Sequence, residues 1–335
     1  MTERLLAGHV SDPTALLTER HNRRWARIDS RVAPLPTLAD DTGLVISHGK
    51  DATAAGRIAE YRFGENTYEA LWGPLLRHVL QVRVTGQDPA AALDEVLAGL
   101  LGAPATPGDG PGAEPGTDQA AVLTWPSLDT ICAAPLVRHG FAPLTSLVHR
   151  WLEGLPEAVS EASVRFALPS DLEWLTGQAE QLHLFESRLG VLPRRPALRA
   201  LLAEELASAL TDEHSFVLVS VADGVPVGFL HGQFPHGAWI ERQVTTEPTG
   251  YLSRLFVVPE ARGRSVGRAL IAAAHEALRA RGARSVLLHH SLHNPLAAPL
   301  WARVGYRPVL TTWTRRPGAA AERGPGTHTG EDGKE

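Results

Sequence analysis

Apolar positions along this chain follow two rhythms. Short β-prone runs alternate with segments in which apolar residues recur three and four apart. The clearest stretch runs from Tyr251 to Arg281. Tyr251 to Val258 is apolar and β-prone, and Pro259 closes it. Arg262-Gly263-Arg264-Ser265-Val266-Gly267 follows as a compact basic turn, and then Val266, Leu270, Ala274, Ala277 and Leu278 recur at helical spacing. Strand, turn and helix are predicted in that order. A helix that starts this way offers unpaired backbone N–H groups and the positive end of its dipole, a setting suited to a pyrophosphate. Arg262, Arg264 and Arg268 add full charges around it.

The same rhythms predict the rest of the chain. A short strand at 5–10 precedes a helix with Ser11 or Asp12 as its N-cap. Thr42–Ser47 and Arg57–Phe63 read as two strands around a turn holding Gly49 and Gly56. Leu76–Val84 is the next strand, and 88–101 an amphipathic helix with Pro89 in its first turn. Residues 103–118 are rich in Pro and Gly and read as a flexible loop. After a connector at 153–162, Val164–Ala167 is a strand, Pro169-Ser170-Asp171 caps a helix over 171–188, and a second helix covers 197–210. Phe216–Ala222 and Pro226–Gln233 form a hairpin around Asp223-Gly224, and Ser285–His290 is a further strand. The polar, Gly-rich tail at 317–335 is expected to be disordered.

Residues 122–145 repeat residues 286–310. With one gap, Val122, Leu123, Ser127, Leu128, Ala133, Ala134, Pro135, Leu136, Arg138, Gly140 and Pro143 each meet an identical residue. The first half, 1–152, therefore reads as a degenerate copy of the second, 163–316, with the Pro/Gly loop inside it. The first copy has no basic turn: Thr85-Gly86-Gln87-Asp88-Pro89-Ala90-Ala91 stands in its place, and Asp88 would repel a phosphate. It is expected to be a scaffold that covers the catalytic half.

Composition narrows the setting. The 335 residues suit two domains, and 44% hydrophobic with 21% charged residues are globular values. A net charge of −5 gives no general reason to bind nucleic acid or an anionic membrane. The N-terminus lacks a signal peptide's apolar core, and no 18-residue apolar run occurs. Cys132 is the only cysteine, so no intrachain disulfide forms and a cytoplasmic setting is expected. Lys50 and Lys334 are the only lysines.

Tyr251–Arg281 resembles the cofactor motif of the GNAT superfamily of N-acetyltransferases: a strand ending in Val-x-Pro, then Arg/Gln-x-x-Gly-x-Gly/Ala. Leu255-Phe256-Val257-Val258-Pro259 supplies the strand end, and Arg262 and Gly267 the outer turn positions. Ser265 stands where the first glycine is usual; if that site needs positive φ, it costs roughly 1 kcal/mol. Asn294-x-x-Ala297-x-x-Leu300-Trp301-x-x-x-Gly305-Tyr306 resembles the superfamily's second motif, with Trp301 in place of the tyrosine that often acts as general acid.

The resemblance implies an α/β (α+β) fold: two tandem domains, each a mixed, mostly antiparallel twisted sheet flanked by helices. It implies acetyl-CoA as cosubstrate and a primary amine, expected on a small molecule, as acceptor. Leu255, Phe256 and Val257 would line the acetyl-pantetheine arm, with Asn294 and Trp301 flanking it. Gly263, Arg264, Ser265, Val266, Gly267 and Arg268, with Arg262, would hold the pyrophosphate. No metal is called for. Some family members carry a carboxylate five residues before the motif Asn. His289 holds that place here and is the candidate base, with a pKa expected near ~6.5. Glu241, in an expected acceptor loop with His236 and Trp239, and Ser253 are its rivals. Tyr251, placed by simple alternation on a face with Ser253, Leu255 and Val257, is the candidate acid. The alternatives are a non-catalytic acyl-CoA-binding or interaction protein, and an acetylase of protein N-termini or lysines.

Overall fold

The structure, a computed structural model, describes residues 13–39, 43–49, 51–102, 118–153, 163–236 and 240–316. The strand at 5–10, the Ser11/Asp12 cap, nearly all of the Pro/Gly loop, most of the connector, Trp239 and the tail lie outside the described residues.

In chain order the elements are α1 (Pro13–Ile28), β1 (Val45–His48), β2 (Ala52–Arg62), β3 (Leu76–Gly86), α2 (Pro89–Leu101), β4 (Gln119–Pro126), α3 (Ala133–Arg138) and β5 (Ala142–Trp151). There follow β6 (Ser163–Phe166), α4 (Leu172–Arg188), α5 (Leu198–Ala209), β7 (Ser215–Ala222), β8 (Val225–Gln233), β9 (Thr249–Val257), α6 (Val266–Ala280), β10 (Ser285–Ser291), α7 (Ala297–Arg303) and β11 (Arg307–Arg315). No helix among the described residues is long and apolar enough to cross a membrane.

Local chemistry accounts for most boundaries. Asp88 caps α2 by accepting from the Ala91 N–H, and Pro89 takes the first turn, where a missing N–H costs nothing. Asp223 and Gly224 both have positive φ, the turn that suits a two-residue hairpin between β7 and β8. One boundary differs from the expectation. Gly56, expected in a turn, sits inside β2 opposite Val82. A Cβ there would lie 2.8 Å from Leu100 Cδ1 on α2, so this glycine serves close helix-to-sheet packing.

The expected mixed, mostly antiparallel sheet flanked by helices is present; among the described residues it is one continuous sheet of eleven strands in the order β1-β2-β3-β4-β11-β5-β10-β9-β8-β7-β6. The order is palindromic about the β11/β5 contact, apart from β6. β3 and β4 pair in parallel, as do β9 and β10, and the remaining neighbours are antiparallel. β5 lies between β10 and β11, and β11 between β4 and β5, so each half lends its last strand to the other.

The core is layered. On one face of the second half, Val266, Leu270, Ala274 and Leu278 of α6 pack on Leu218, Leu230, Leu252 and Leu288. On the opposite face, Leu175, Leu202 and Leu206 of α4 and α5 pack on Val217, Val219, Phe229 and Phe256. The β8/β9 register slips between His231 and Gly232, a bulge that leaves Ser253 unopposed. The bulge corrects the expected alternation. Leu252, Leu255 and Val257 turn toward α6, while Tyr251 lies on the face shared by Arg254 and Phe256.

Candidate active site

The parallel pairing of β9 with β10 runs from Thr249↔Ser285 to Leu252↔Leu288 and stops. β9 continues to Val257, still paired with β8 on its other side. The two strands therefore part, and Ser253–Val257 presents its β10-facing edge to a slot.

At the end of that slot, Pro259–Ala261 forms a short 3-10 turn and the arginine turn begins. Arg262 Nε donates to the Val257 carbonyl at 3.0 Å, and its guanidinium lies 5.8 Å from the Phe256 ring centroid. Gly263 has φ 77°. Ser265 has φ 62° and ψ 5°, so the position does require the left-handed conformation, at a cost of roughly 1 kcal/mol for a non-glycine residue. Its hydroxyl makes no cap to α6. Arg262, Arg264 and Arg268 are exposed, and among the described residues none forms an ion pair. Gly267 does not need its lack of a side chain for the fold: a Cβ there would meet only Val257 Cγ2, at an ordinary 3.7 Å.

On the other face, Tyr251 Oη lies 3.0 Å from His289 Nδ1. Burial pushes the Tyr251 hydroxyl up to about 12. Burial, with His290 next to it, pushes His289 down to about 4, in place of the near-neutral value expected from sequence. His290 leans away and lies 3.0 Å from the Ser291 carbonyl through Nδ1. Glu241 begins a one-turn 3-10 segment, and His236 has φ 69°. That loop docks on the first half: Val244 bridges Val32, and the Thr245 N–H donates to the Arg31 carbonyl at 2.9 Å.

Asn294 is buried and ties two elements together. Its Oδ1 accepts from the N–H groups of Leu296 and Ala297 at the start of α7, and its Nδ2 donates to Glu186 Oε1 on α4 at 2.6 Å. Trp301 is buried edge-on against Tyr306, 5.2 Å between ring centroids. It packs in the α6-side core, and its aromatic bulk rather than any proton is what it supplies.

Several side chains near this site carry no sequence motif. Glu186 has its carboxyl raised by burial against the hydrogen bond from Asn294, and its Oε2 is buried with no hydrogen-bond partner among the described residues. Arg254 is buried, donates to Glu205 Oε1 at 2.7 Å and lies 5.0 Å from the Trp72 ring. Tyr68 donates to the same oxygen at 2.8 Å, and His231 Nδ1 lies 3.8 Å from it. Burial is the largest single influence and works to raise Glu205, but the charge and hydrogen bond of Arg254, with His231 and the Tyr68 hydroxyl, together outweigh it and hold the carboxyl low. Tyr68 and Trp72 come from the first half, so this network joins the halves. The one sequence signal for it was an arginine inside an otherwise apolar strand. Among the described residues no group of three or more His, Cys, Asp or Glu could hold a metal.

An uncharacterized N-acetyltransferase of Methanocaldococcus jannaschii is 34% identical over 106 residues, 31% of this chain and 45% of that protein. The chain thus spans less than half the length of this curated relative. Among solved structures, a GCN5-related N-acetyltransferase from Sphaerobacter thermophilus is 16% identical, covers 81% of each chain and has a TM-score of 0.49. An aminoglycoside N-acetyltransferase in complex with CoA is 23% identical, covers 46% of this chain and 93% of its own, and has a TM-score of 0.37. Residues 180–306, which hold β9, the arginine turn, β10 and α7, match the Acetyltransferase (GNAT) family.

Proposed function

We propose that the protein is an N-acetyltransferase that moves an acetyl group from acetyl-CoA to a primary amine of a small molecule, by direct attack in a ternary complex. The observation that carries this reading is the parting of β9 from β10 where it opens on the arginine turn at α6. The turn Arg262–Arg268 holds the pyrophosphate. The pantetheine arm runs into the slot beside Leu255, Phe256 and Val257, flanked by Asn294. A backbone N–H of that segment serves the thioester carbonyl and the oxyanion that follows.

His289 takes one proton from the ammonium; held near about 4, it is neutral through the physiological range but only a weak base. The freed amine nitrogen attacks the carbonyl carbon, and the carbonyl π pair moves to oxygen. The tetrahedral intermediate collapses, the C–S bond breaks, and the sulfur leaves with that electron pair and takes the second proton from nitrogen. With its hydroxyl pushed up to about 12, Tyr251 is a poorer donor to a thiolate of pKa ~8.5 than the nitrogen is. It positions the His289 ring instead. Glu186, one carboxylate oxygen unpartnered beyond β10, is the second candidate base.

The first half is read as a degenerate, non-catalytic copy of the second. The palindromic strand order and the sequence repeat support this. A second functional reading, a non-catalytic acyl-CoA-binding protein, is favoured by Trp301, which has no proton to give.

Calorimetry with coenzyme A and a transfer assay over a broad amine panel test both readings. Binding with transfer supports the enzyme. Binding without transfer to any amine supports the second reading, and no binding removes both.

A further inference from the structure

The parting of β3 from β4 opens onto a cleft of about 720 Å³. One wall is α1, with Arg20, Arg23, Arg24 and Arg27, and the other is the chain leaving β3, Thr85 to Gln87, with Leu128–Ile131 across from it. Helical spacing places the four arginines along one side of α1. Arg24 is held by both carboxylate oxygens of Asp129, each at 2.6 Å. Arg23 reaches Glu19 at 3.2 Å on an exposed surface. Arg20 and Arg27 are exposed and have no carboxylate partner among the described residues. A chain of net charge −5 thus concentrates four guanidinium groups against a single carboxylate in the cleft lining.

What lies beneath the cleft limits its ligand. The Val84 N–H donates to His21 Nδ1 at 3.0 Å, and the rings of Trp25 and Trp125 stand edge to face at 5.2 Å beside it. A long thioester arm has no slot to enter. Asp88 already caps α2, so the helix end is not offered to an anion. What is left is a shallow, solvent-open set of guanidinium forks, which grip phosphate oxygens in pairs.

We propose that this cleft binds a compact, multiply charged phosphate ligand, of the class of pyrophosphate or a phosphorylated small molecule, at a site separate from the arginine turn of α6. The proposal is independent of the acetyltransferase reading. Its test is calorimetry with inorganic pyrophosphate on the full-length chain carrying Arg264→Ala and Arg268→Ala, so that the α6 turn does not compete. One saturable site is expected. Adding Arg20→Ala and Arg27→Ala should weaken it at least about tenfold while the thermal unfolding midpoint stays put, because both side chains are exposed. Coenzyme A should not displace the pyrophosphate. No binding in the first background, binding that survives loss of Arg20 and Arg27, or full displacement by coenzyme A would each overturn the proposal.

Discussion

Among the described residues a parallel strand pair opens twice, and the two openings are filled differently. β3 and β4 pair from Leu76↔Gln119 to Val79↔Val122, β9 and β10 from Thr249↔Ser285 to Leu252↔Leu288, and each pair then parts. In the first opening, α1 closes the gap with His21, whose ring takes the backbone N–H of Val84, and with Trp25. In the second, the strand edge from Ser253 to Val257 faces the gap. The helices that follow differ as well. α2 has its own carboxylate cap and a proline, whereas α6 begins at a left-handed serine among three arginines that form no ion pair among the described residues. If the second opening holds the proposed coenzyme, the backbone arrangement is not what confers the site; the side chains that fill the gap, and whatever claims the helix N-terminus, decide it.

The largest expected effect breaks the comparison if it fails. Gly267→Val puts a branched side chain where a phosphate must approach the first-turn amides of α6. It should abolish coenzyme A binding to the whole protein, because the first opening has nothing to replace it. Calorimetry on the unaltered chain should give one strong site. Two equal sites, or unchanged affinity in Gly267→Val, would mean that the difference between the openings has been misread.

His21→Ala sharpens the other side. It leaves the buried Val84 N–H without its partner and removes the ring packed at a tilt against Trp25, and should cost about 2–3 kcal/mol in a urea unfolding experiment. Coenzyme binding should not change. A His21→Ala protein with a new second coenzyme site would show that the plug alone silences the first half.

Acid should destabilise both halves through buried histidines. His21 in the first half and His275 in the second are each held down to about 3, chiefly by burial. Unfolding raises them toward 6.5, so the unfolded chain binds protons that the folded one refuses. Stability should be fully present above pH ~6.5 and fall below it, each group adding a slope of roughly 1.4 kcal/mol per pH unit until its folded value is reached. Urea midpoints measured from pH 7 to pH 4 check the sign. A flat profile would mean that both rings charge within the fold. For turnover, His289 near about 4 predicts no inflection at pH 6–7 from that ring; one that stays put when the acceptor's basicity is changed would move the proton transfer to another group of the protein.

Most of the second half was legible in the sequence because its signals are local. Asp223-Gly224 forces a hairpin, Pro259 stops a strand, and the apolar spacing from Val266 to Leu278 makes a helix. What could not be read depends on distant partners. Nothing local marks Gly56 as a contact for α2 rather than a turn, or Ser253 as a bulge, and with the bulge went the assignment of Tyr251 to the Leu255 face. The pKa of His289 is set first by what packs on the ring and only second by His290 next to it in sequence. The Arg254–Glu205–Tyr68 network joins residues 49 and 137 apart in the chain, and the sequence offered one buried arginine as its trace.

The Arg264→Ala and Arg268→Ala changes should each weaken coenzyme A by roughly 1–3 kcal/mol, as expected for charge-assisted contacts to phosphate. Neither should move the unfolding midpoint, since both side chains are exposed and unpaired among the described residues. Equal coenzyme affinity in the double variant would leave the α6 turn no better a phosphate site than the capped end of α2.

The smallest change asks why Gly267 is a glycine at all. It lies in the first turn of α6 without positive φ, and a Cβ would make only an ordinary contact with Val257 at 3.7 Å. Glycine in a helix is worse than alanine by about 0.5–1 kcal/mol. Folding alone would therefore favour Gly267→Ala, and the variant should be more stable by up to about that amount in urea unfolding. If the bare backbone is there for a phosphate, the same methyl group should weaken coenzyme A several-fold. The two readouts then move in opposite directions, which neither a purely structural glycine nor a damaged fold would produce. A stabilised Gly267→Ala protein with undiminished coenzyme affinity would separate α6 from the ligand and remove the main contrast with α2.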